Sequence, residues 1–158
     1  MEQQLEMRPI PLRGAFEILL HNAKTGEIID RRKVPNTVVL TGRAWILGQL
    51  ETVNQDTNRT ISHMAIGSNT VAPTTANSAL GNEVTRKGIG TFTTTNLTAN
   101  PPSFDSIASF ATNEANTTLS EVGLFNSSAV GTMIARATFA SFVKATSNTL
   151  SITYTISG

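Results

Sequence analysis

The stretch NTLSITYTISG (148–158) alternates without a fault. Leu150, Ile152, Tyr154 and Ile156 take every second place, and Thr149, Ser151, Thr153, Thr155 and Ser157 fill the others. A period of two marks a strand buried on one face and wet on the other. Such a strand cannot stand alone, because its apolar face needs an opposing layer. The chain is thereby committed to a sheet that packs on something, and its carboxyl end is expected to be held instead of fraying.

The residues between Gly88 and this strand read the same way. GTFTTTNLT, FDSIASFAT (with Phe104, Ile107 and Phe110 apolar), TTLSEVGLFN and TMIARATFASFV are divided by breaks at Asn100 to Pro102, Asn113 to Asn116, Asn126 to Gly131 and Ser147-Asn148. Breaks at such intervals predict a sandwich or barrel. Earlier in the chain, FEILLHNA and IIDRRKV flank Lys24-Thr25-Gly26-Glu27, a pattern for a β-hairpin. TGRAWILGQLETV places Ala44, Leu47 and Leu50 at helical spacing, with Trp45 and Ile46 widening the stripe and Thr41 as N-cap. ISHMAIG reads as a short strand, and a turn or two of helix is expected over 76–85, capped by Thr74 or Thr75.

Pro9 and Pro11 remove backbone donors and hold their neighbours extended. Residues 1–13 therefore read as an extended N-terminal arm, and 14–158 as a single domain, a size able to bury a real core. The expected fold is mainly β: an antiparallel, jelly-roll-like β-sandwich with one short helix near 41–53. No internal repeat points to a solenoid.

Charge narrows the function. Of the 158 residues only 15% are charged, the net charge is +1, and Thr, Ser and Asn make up nearly a third of the chain. That is not the footprint of a nucleic-acid binder. Twelve of the charged residues fall in the first 43 positions, whereas 88–143 holds only Asp105, Glu114, Glu121 and Arg136. This asymmetry suggests two surfaces with different jobs. The polar start and the short apolar run Ile18 to Leu20 fit neither a signal h-region nor a membrane span, so the chain reads as soluble and made in the cytoplasm, with no membrane partner.

Chemistry is not marked anywhere. The absence of cysteine removes disulfides, thiolate metal sites and a cysteine nucleophile. His21 and His63 share no ligand spacing and read as structural. Glu114 and Glu121, in a Thr-rich region without basic or aromatic neighbours, read as solvated surface. No serine lies in a G-x-S-x-G elbow. Gly88-Ile89-Gly90 lacks the third glycine and the helix of a nucleotide loop, and reads as a strand start. Trp45 and Tyr154 fall on apolar faces, which leaves no aromatic platform for sugars. Neither a catalytic site, a metal nor a cofactor is expected, and the chain does not read as an enzyme. The one basic run, Arg31-Arg32-Lys33, cannot point all three side chains one way in a strand; it reads as an edge guarded by charge, or as a patch for an acidic partner.

In order and wording, several segments resemble the small structural proteins of tailed-bacteriophage virions. They are the TGE turn within Lys24 to Ile28, NTVVLTGRAWILGQL from Asn36, ISHMAIGSNTVAPTTANSALGNEVTRK from Ile61, and LSEVGLFN with the strands that follow it. The capsid decoration, or cement, proteins are the most similar family; tail-collar and fibre-associated proteins share the AIG…PT…ALGNE and EVGLF style. The resemblance implies a β-rich homotrimer on the capsid surface of the virion, bound to the major capsid protein and stabilising the shell by bridging capsomers. Its contacts would come from the arm (Arg8, Pro9, Ile10, Pro11, Leu12, Arg13) and from Arg31, Arg32 and Lys33. A free carbohydrate-binding module is the reading from another class.

Overall fold

The computed structural model describes residues 13–49, 60–96 and 102–157. The expected hairpin is formed by β1 (Arg13–Asn22) and β2 (Ile28–Pro35). At its turn the Asn22 side-chain oxygen accepts the backbone N–H groups of Lys24 and Thr25, at 2.9 and 3.3 Å. Gly26 sits at φ 73°, a backbone state that costs glycine little. Inward from the hairpin point Phe16, Ile18 and Leu20, all buried.

The faultless alternation of 148–158 becomes β10 (Asn148–Ser157), which lies beside β1 in antiparallel register from Arg13↔Ser157 to Asn22↔Asn148. On its other side runs β7 (Ser103–Phe110), and β6 (Thr91–Asn96) closes the sheet, giving the order β2-β1-β10-β7-β6. A second antiparallel sheet has the order β3-β9-β8-β4-β5, built from β3 (Thr37–Val38), β4 (His63–Gly67), β5 (Glu83–Gly88), β8 (Thr118–Phe125) and β9 (Met133–Val143). Both sheets feed one core. Phe16, Phe110, Ile152 and Tyr154 from the first meet Met64, Ile66, Val122, Leu124 and Ile134 from the second. The Phe16 and Tyr154 rings lie 4.8 Å apart, a tilted pair that adds to the burial itself. The fold is thus the expected mainly-β sandwich.

The helix is shorter than expected and starts differently. α1 spans Leu40–Gly48 with Val39 at its N-cap and no side-chain cap; the remainder of 41–53 past Gln49 lies outside the described residues. Thr41 is not the cap, because its hydroxyl donates to the Met133 carbonyl at 2.9 Å and so pins the helix to β9. Gly42 is the contact point: a Cβ there would run into the Ile134 backbone. Trp45 and Ile46 pack against the main core.

No helix forms over 76–85. Residues 68–82 run as turns and irregular backbone over the second sheet, and β5 begins at Glu83. Three N–H groups of this segment are taken by one carboxylate, as described below. Nor does Gly88-Ile89-Gly90 begin a strand. Gly88 ends β5, and the next two residues carry the chain across to the first sheet, with Ile89 N–H on the Ser62 carbonyl and Gly90 N–H on the Ile107 carbonyl. Arg13, taken as the end of the arm, opens β1 instead.

Candidate functional site

The two sheets treat their outer faces differently. On the first, alternation leaves Thr149, Ser151, Thr153 and Thr155 of β10 pointing outward beside Glu17, Leu19 and His21 of β1. Beyond β10 lie Asp105, Ile107 and Ser109 of β7. This face is hydroxyl-rich and carries the carboxylates of Glu17 and Asp105.

The basic run borders it. Register places Lys33 opposite Glu17 and Arg31 opposite Leu19, so both share the outer face, while Arg32 lies opposite Ile18 on the inner side. Arg31 pairs with Glu17 at 2.5 Å and Arg32 with Asp30 at 2.9 Å. Exposed pairs of this kind add little stability and remain available for exchange with a partner's charges. Arg13 stands on the same face at the end of β1. Of the residues singled out by sequence, Arg13, Arg31 and Lys33 are therefore brought to one face and Arg32 is turned from it; Arg8, Pro9, Ile10, Pro11 and Leu12 lie outside the described residues. The idea of two surfaces divided along the chain does not hold. β10 from the low-charge half lies directly against β1 from the charged half, so both kinds of side chain share one face.

Where β1 and α1 converge there is a hollow of about 810 Å³, lined by Arg13, Gly14, Pro35, Asn36, Thr37, Val38, Arg43, Ile46 and Leu47. Beside it the buried Tyr154 hydroxyl accepts the Asn36 side-chain amide at 3.2 Å, and burial pushes the phenol pKa up to about 12. A Cβ at Gly14 would strike that hydroxyl.

The second sheet is covered on both sides, and its outer side holds charge. Glu121 is fully buried, not solvated. Its carboxylate accepts Nε and Nη2 of Arg136 at 3.0 and 2.8 Å, and also the backbone N–H groups of Asn69, Gly81 and Asn82 at 3.2, 2.9 and 2.7 Å. Arg136, itself buried, donates on to the Asn77 side chain at 3.0 Å and to the Val71 carbonyl at 3.1 Å. One ion pair thus staples the 68–82 cover to β8 and β9. Both Arg136 nitrogens donate to the one oxygen Oε2, and Oε1 is taken by backbone N–H groups; a charge pair with its remaining lone pairs satisfied in this way is the form in which burial of charge is tolerable. Gly67 makes room, since a Cβ there would meet the Asn82 carbonyl and the Glu121 side chain. Next to the pair, Arg86 stacks 3.6 Å over the Phe125 ring and pairs with Glu83. The AIG, ALGNE and EVGLF segments, far apart in sequence, therefore meet at Glu121. The missed signal was the run LSEVGLF itself, too apolar and too little alternating for a strand with one wet face.

Other ionisable groups are similarly occupied. Lys144 is 1% exposed and donates to the Ala111 carbonyl and the Asn116 side chain at 2.8 and 2.9 Å; burial draws its ammonium below the ordinary range. Glu114 accepts from Lys87 and from the Ala111 N–H, and these bonds hold its carboxyl below the usual value. His21 lies 3.2 Å from the Ser151 hydroxyl, and His63 lies 2.8 Å from that of Ser62. Burial, helped by the Arg86 charge, lowers the His63 pKa. Among the described residues no three His, Asp or Glu side chains converge as metal ligands, and no helix is long and apolar enough to cross a membrane.

No protein-family model, no curated protein and no solved structure matches the chain.

Proposed function

We propose that this is a structural protein of a tailed-phage virion, a decoration protein that associates with itself, binds the major capsid protein on the outer shell and stabilises it by bridging capsomers. The observation that carries the reading is the unequal use of charge. Glu121, Arg136 and Lys144 are spent as internal fasteners, while an outer sheet face of hydroxyls bordered by Arg13, Arg31 and Lys33 is left for contact. A rigid body with a flat polar face and a few basic groups at its margin suits adhesion to a mildly acidic protein surface.

No single contact needs to be strong. About 800 Å² per partner makes a specific interface, linked copies multiply weak contacts through effective concentration, and whatever binds only the intact shell stabilises it by mass action. The test is to add the purified protein to expanded capsids that lack it, and to measure co-sedimentation and the temperature at which the shell opens. Binding with a raised opening temperature is expected, weakened by Arg31→Glu with Lys33→Glu. No binding to capsids, together with antibody label on the tail, would replace this reading with a tail-collar or fibre role.

A further inference from the structure

Of the buried charged side chains, Lys144 alone lacks a counter-charge at contact distance. Glu121 and Arg136 neutralise each other. The Lys144 amine, on a residue 1% exposed, meets only neutral oxygens: the Ala111 carbonyl at 2.8 Å and the Asn116 side-chain oxygen at 2.9 Å. Among the described residues no carboxylate forms an ion pair with it. An ammonium taken out of water without a counter-charge tends to give up its proton. Burial accordingly draws this amine toward the neutral form, which is the nucleophilic one.

The amide that it faces is held in place. The Asn116 side chain donates from Nδ2 to the Thr112 carbonyl at 2.7 Å while Oδ1 accepts from the amine. Backbone ties the two positions as well, because the Lys144 N–H donates to the Thr117 carbonyl at 3.0 Å. The residue before Asn116, Ala115, is buried at φ 54°, where a residue with a Cβ is uncommon. Backbone strain of this kind collects where a side chain has to be aimed. The carbon open to attack, Cγ, is bonded to Oδ1 and so lies at most about 4 Å from the amine. That is close to the ~3–3.5 Å of a near-attack arrangement.

Glu114 completes the group. Its Oε2 accepts the Ala111 N–H at 2.7 Å, so carboxylate and amine bind the two ends of one residue, and its charge acts on Lys144.

We propose that Lys144 and Asn116 join in an intramolecular isopeptide bond. Nζ of the neutral amine attacks Cγ of Asn116. Glu114 takes a proton from Nζ and delivers it to Nδ2, the Cγ–Nδ2 bond breaks, and ammonia leaves. An amine and a primary amide thus become a secondary amide and ammonia, with no change of oxidation state and no other reactant. Fixed juxtaposition supplies the effective concentration that a free amine and amide lack. The product carries no buried charge. It joins the β7–β8 connection to the end of β9 and closes the loop 116–144. In a chain without cysteine this does the work of a disulfide, restricting the unfolded state by loop closure.

The experiment is intact-mass spectrometry of the purified full chain, followed by trypsin digestion. The parent is expected one ammonia lighter than its sequence. Trypsin cannot cut after an acylated lysine, so it should release residues 88–136 joined to residues 137–158. The joined peptide separates this bond from a succinimide at an asparagine, which also loses ammonia but links nothing. Lys144→Met, which keeps the apolar stem, and Asn116→Ala should each return the full sequence mass. Glu114→Gln should lower the joined fraction in freshly made protein by about tenfold or more, with the circular dichroism of the parent unchanged. A parent at full sequence mass after long incubation, or one cut normally after Lys144, would overturn the inference and leave Lys144 as a hydrogen-bonded structural amine. A joined fraction indifferent to Glu114→Gln would overturn the proton transfer assigned to that carboxylate. The parent's own digest decides the bond whether or not the variants fold, and capsid binding enters none of these readings.

Discussion

The outer faces of the two sheets are made from the same small alphabet of residues and reach opposite solutions. The β2-β1-β10-β7-β6 sheet leaves its outer face to solvent, so its strands alternate and its hydroxyls look outward. The β3-β9-β8-β4-β5 sheet has the 68–82 segment laid over it, and its central strand β8 is buried from Leu119 to Phe125. A covered sheet has to satisfy whatever polar groups the cover brings in, because each buried N–H left without a partner costs as much as a lost hydrogen bond. Glu121 answers three of them at once. The comparison teaches that charge in this molecule is a buried fastener on the covered side and stays at the surface among hydroxyls on the open one.

The largest effect should come from cutting the fastener. Glu121→Ala would leave Arg136 buried without a counter-charge and orphan the N–H groups of Asn69, Gly81 and Asn82. Breaking one side of a buried pair costs about 3–5 kcal/mol. Denaturant unfolding should show that loss, and hydrogen exchange should show the 68–82 segment opening first. The double variant Glu121→Leu with Arg136→Met should recover only part of it, since the three backbone donors still lack an acceptor. A single variant that costs less than about 1 kcal/mol would mean that water already serves the cover.

Next comes the fit of the helix against β9. Gly42→Ala offers a gain of up to about 1 kcal/mol in helix propensity. Against it stands a new methyl pressed into the Ile134 backbone, which no side-chain rotation relieves. Overpacking of this kind costs about 1–3 kcal/mol, so net destabilisation by about 1–2 kcal/mol is expected in thermal or denaturant melts. A stabilised variant would show that α1 can lift from β9 without loss.

Tyr154 joins the open sheet to the core, and Tyr154→Phe isolates its hydroxyl. Loss of the Asn36 bond should cost about 1 kcal/mol at neutral pH. The alkaline limb is the sharper readout. Burial raises the folded pKa from 10.0 to about 12, so the contribution of the neutral phenol is complete below pH 10 and is lost as pH climbs toward 12. In the phenylalanine variant the fall in stability over that window should be smaller.

What the sequence disclosed follows the same division. β10 was readable residue by residue because one face is wet, and the hairpin because Gly26 and its neighbours spell a turn. Glu121 was misread because its partners are distant in the chain: Arg136 follows fifteen residues later, and Asn69, Gly81 and Asn82 precede it by 52, 40 and 39. A composition window around Glu121 sees only threonines and apolar residues. The expected helix over 76–85 failed for the same reason, because backbone donors that local propensity assigns to a helix are claimed by that carboxylate. Arg31, Arg32 and Lys33 were separable from strand alternation alone, whereas joining Arg13 to their face needed the register of β1.

The smallest effect should come from the open face, and it is the control for the whole comparison. Thr153 points outward from β10 opposite Glu17, one residue from the core positions Ile152 and Tyr154. Thr153→Ala removes a hydroxyl that water can replace, against a small loss of strand preference. Surface changes away from caps and networks stay within about 0.5 kcal/mol. Chemical denaturation should place Thr153→Ala in that range, several-fold below Glu121→Ala. A loss near 2 kcal/mol in the isolated protein would mean that this face is already covered by another copy, and dilution would tell the two apart: an intrinsic loss is independent of concentration, whereas a loss at an interface shrinks as dilution turns parent and variant alike into monomers.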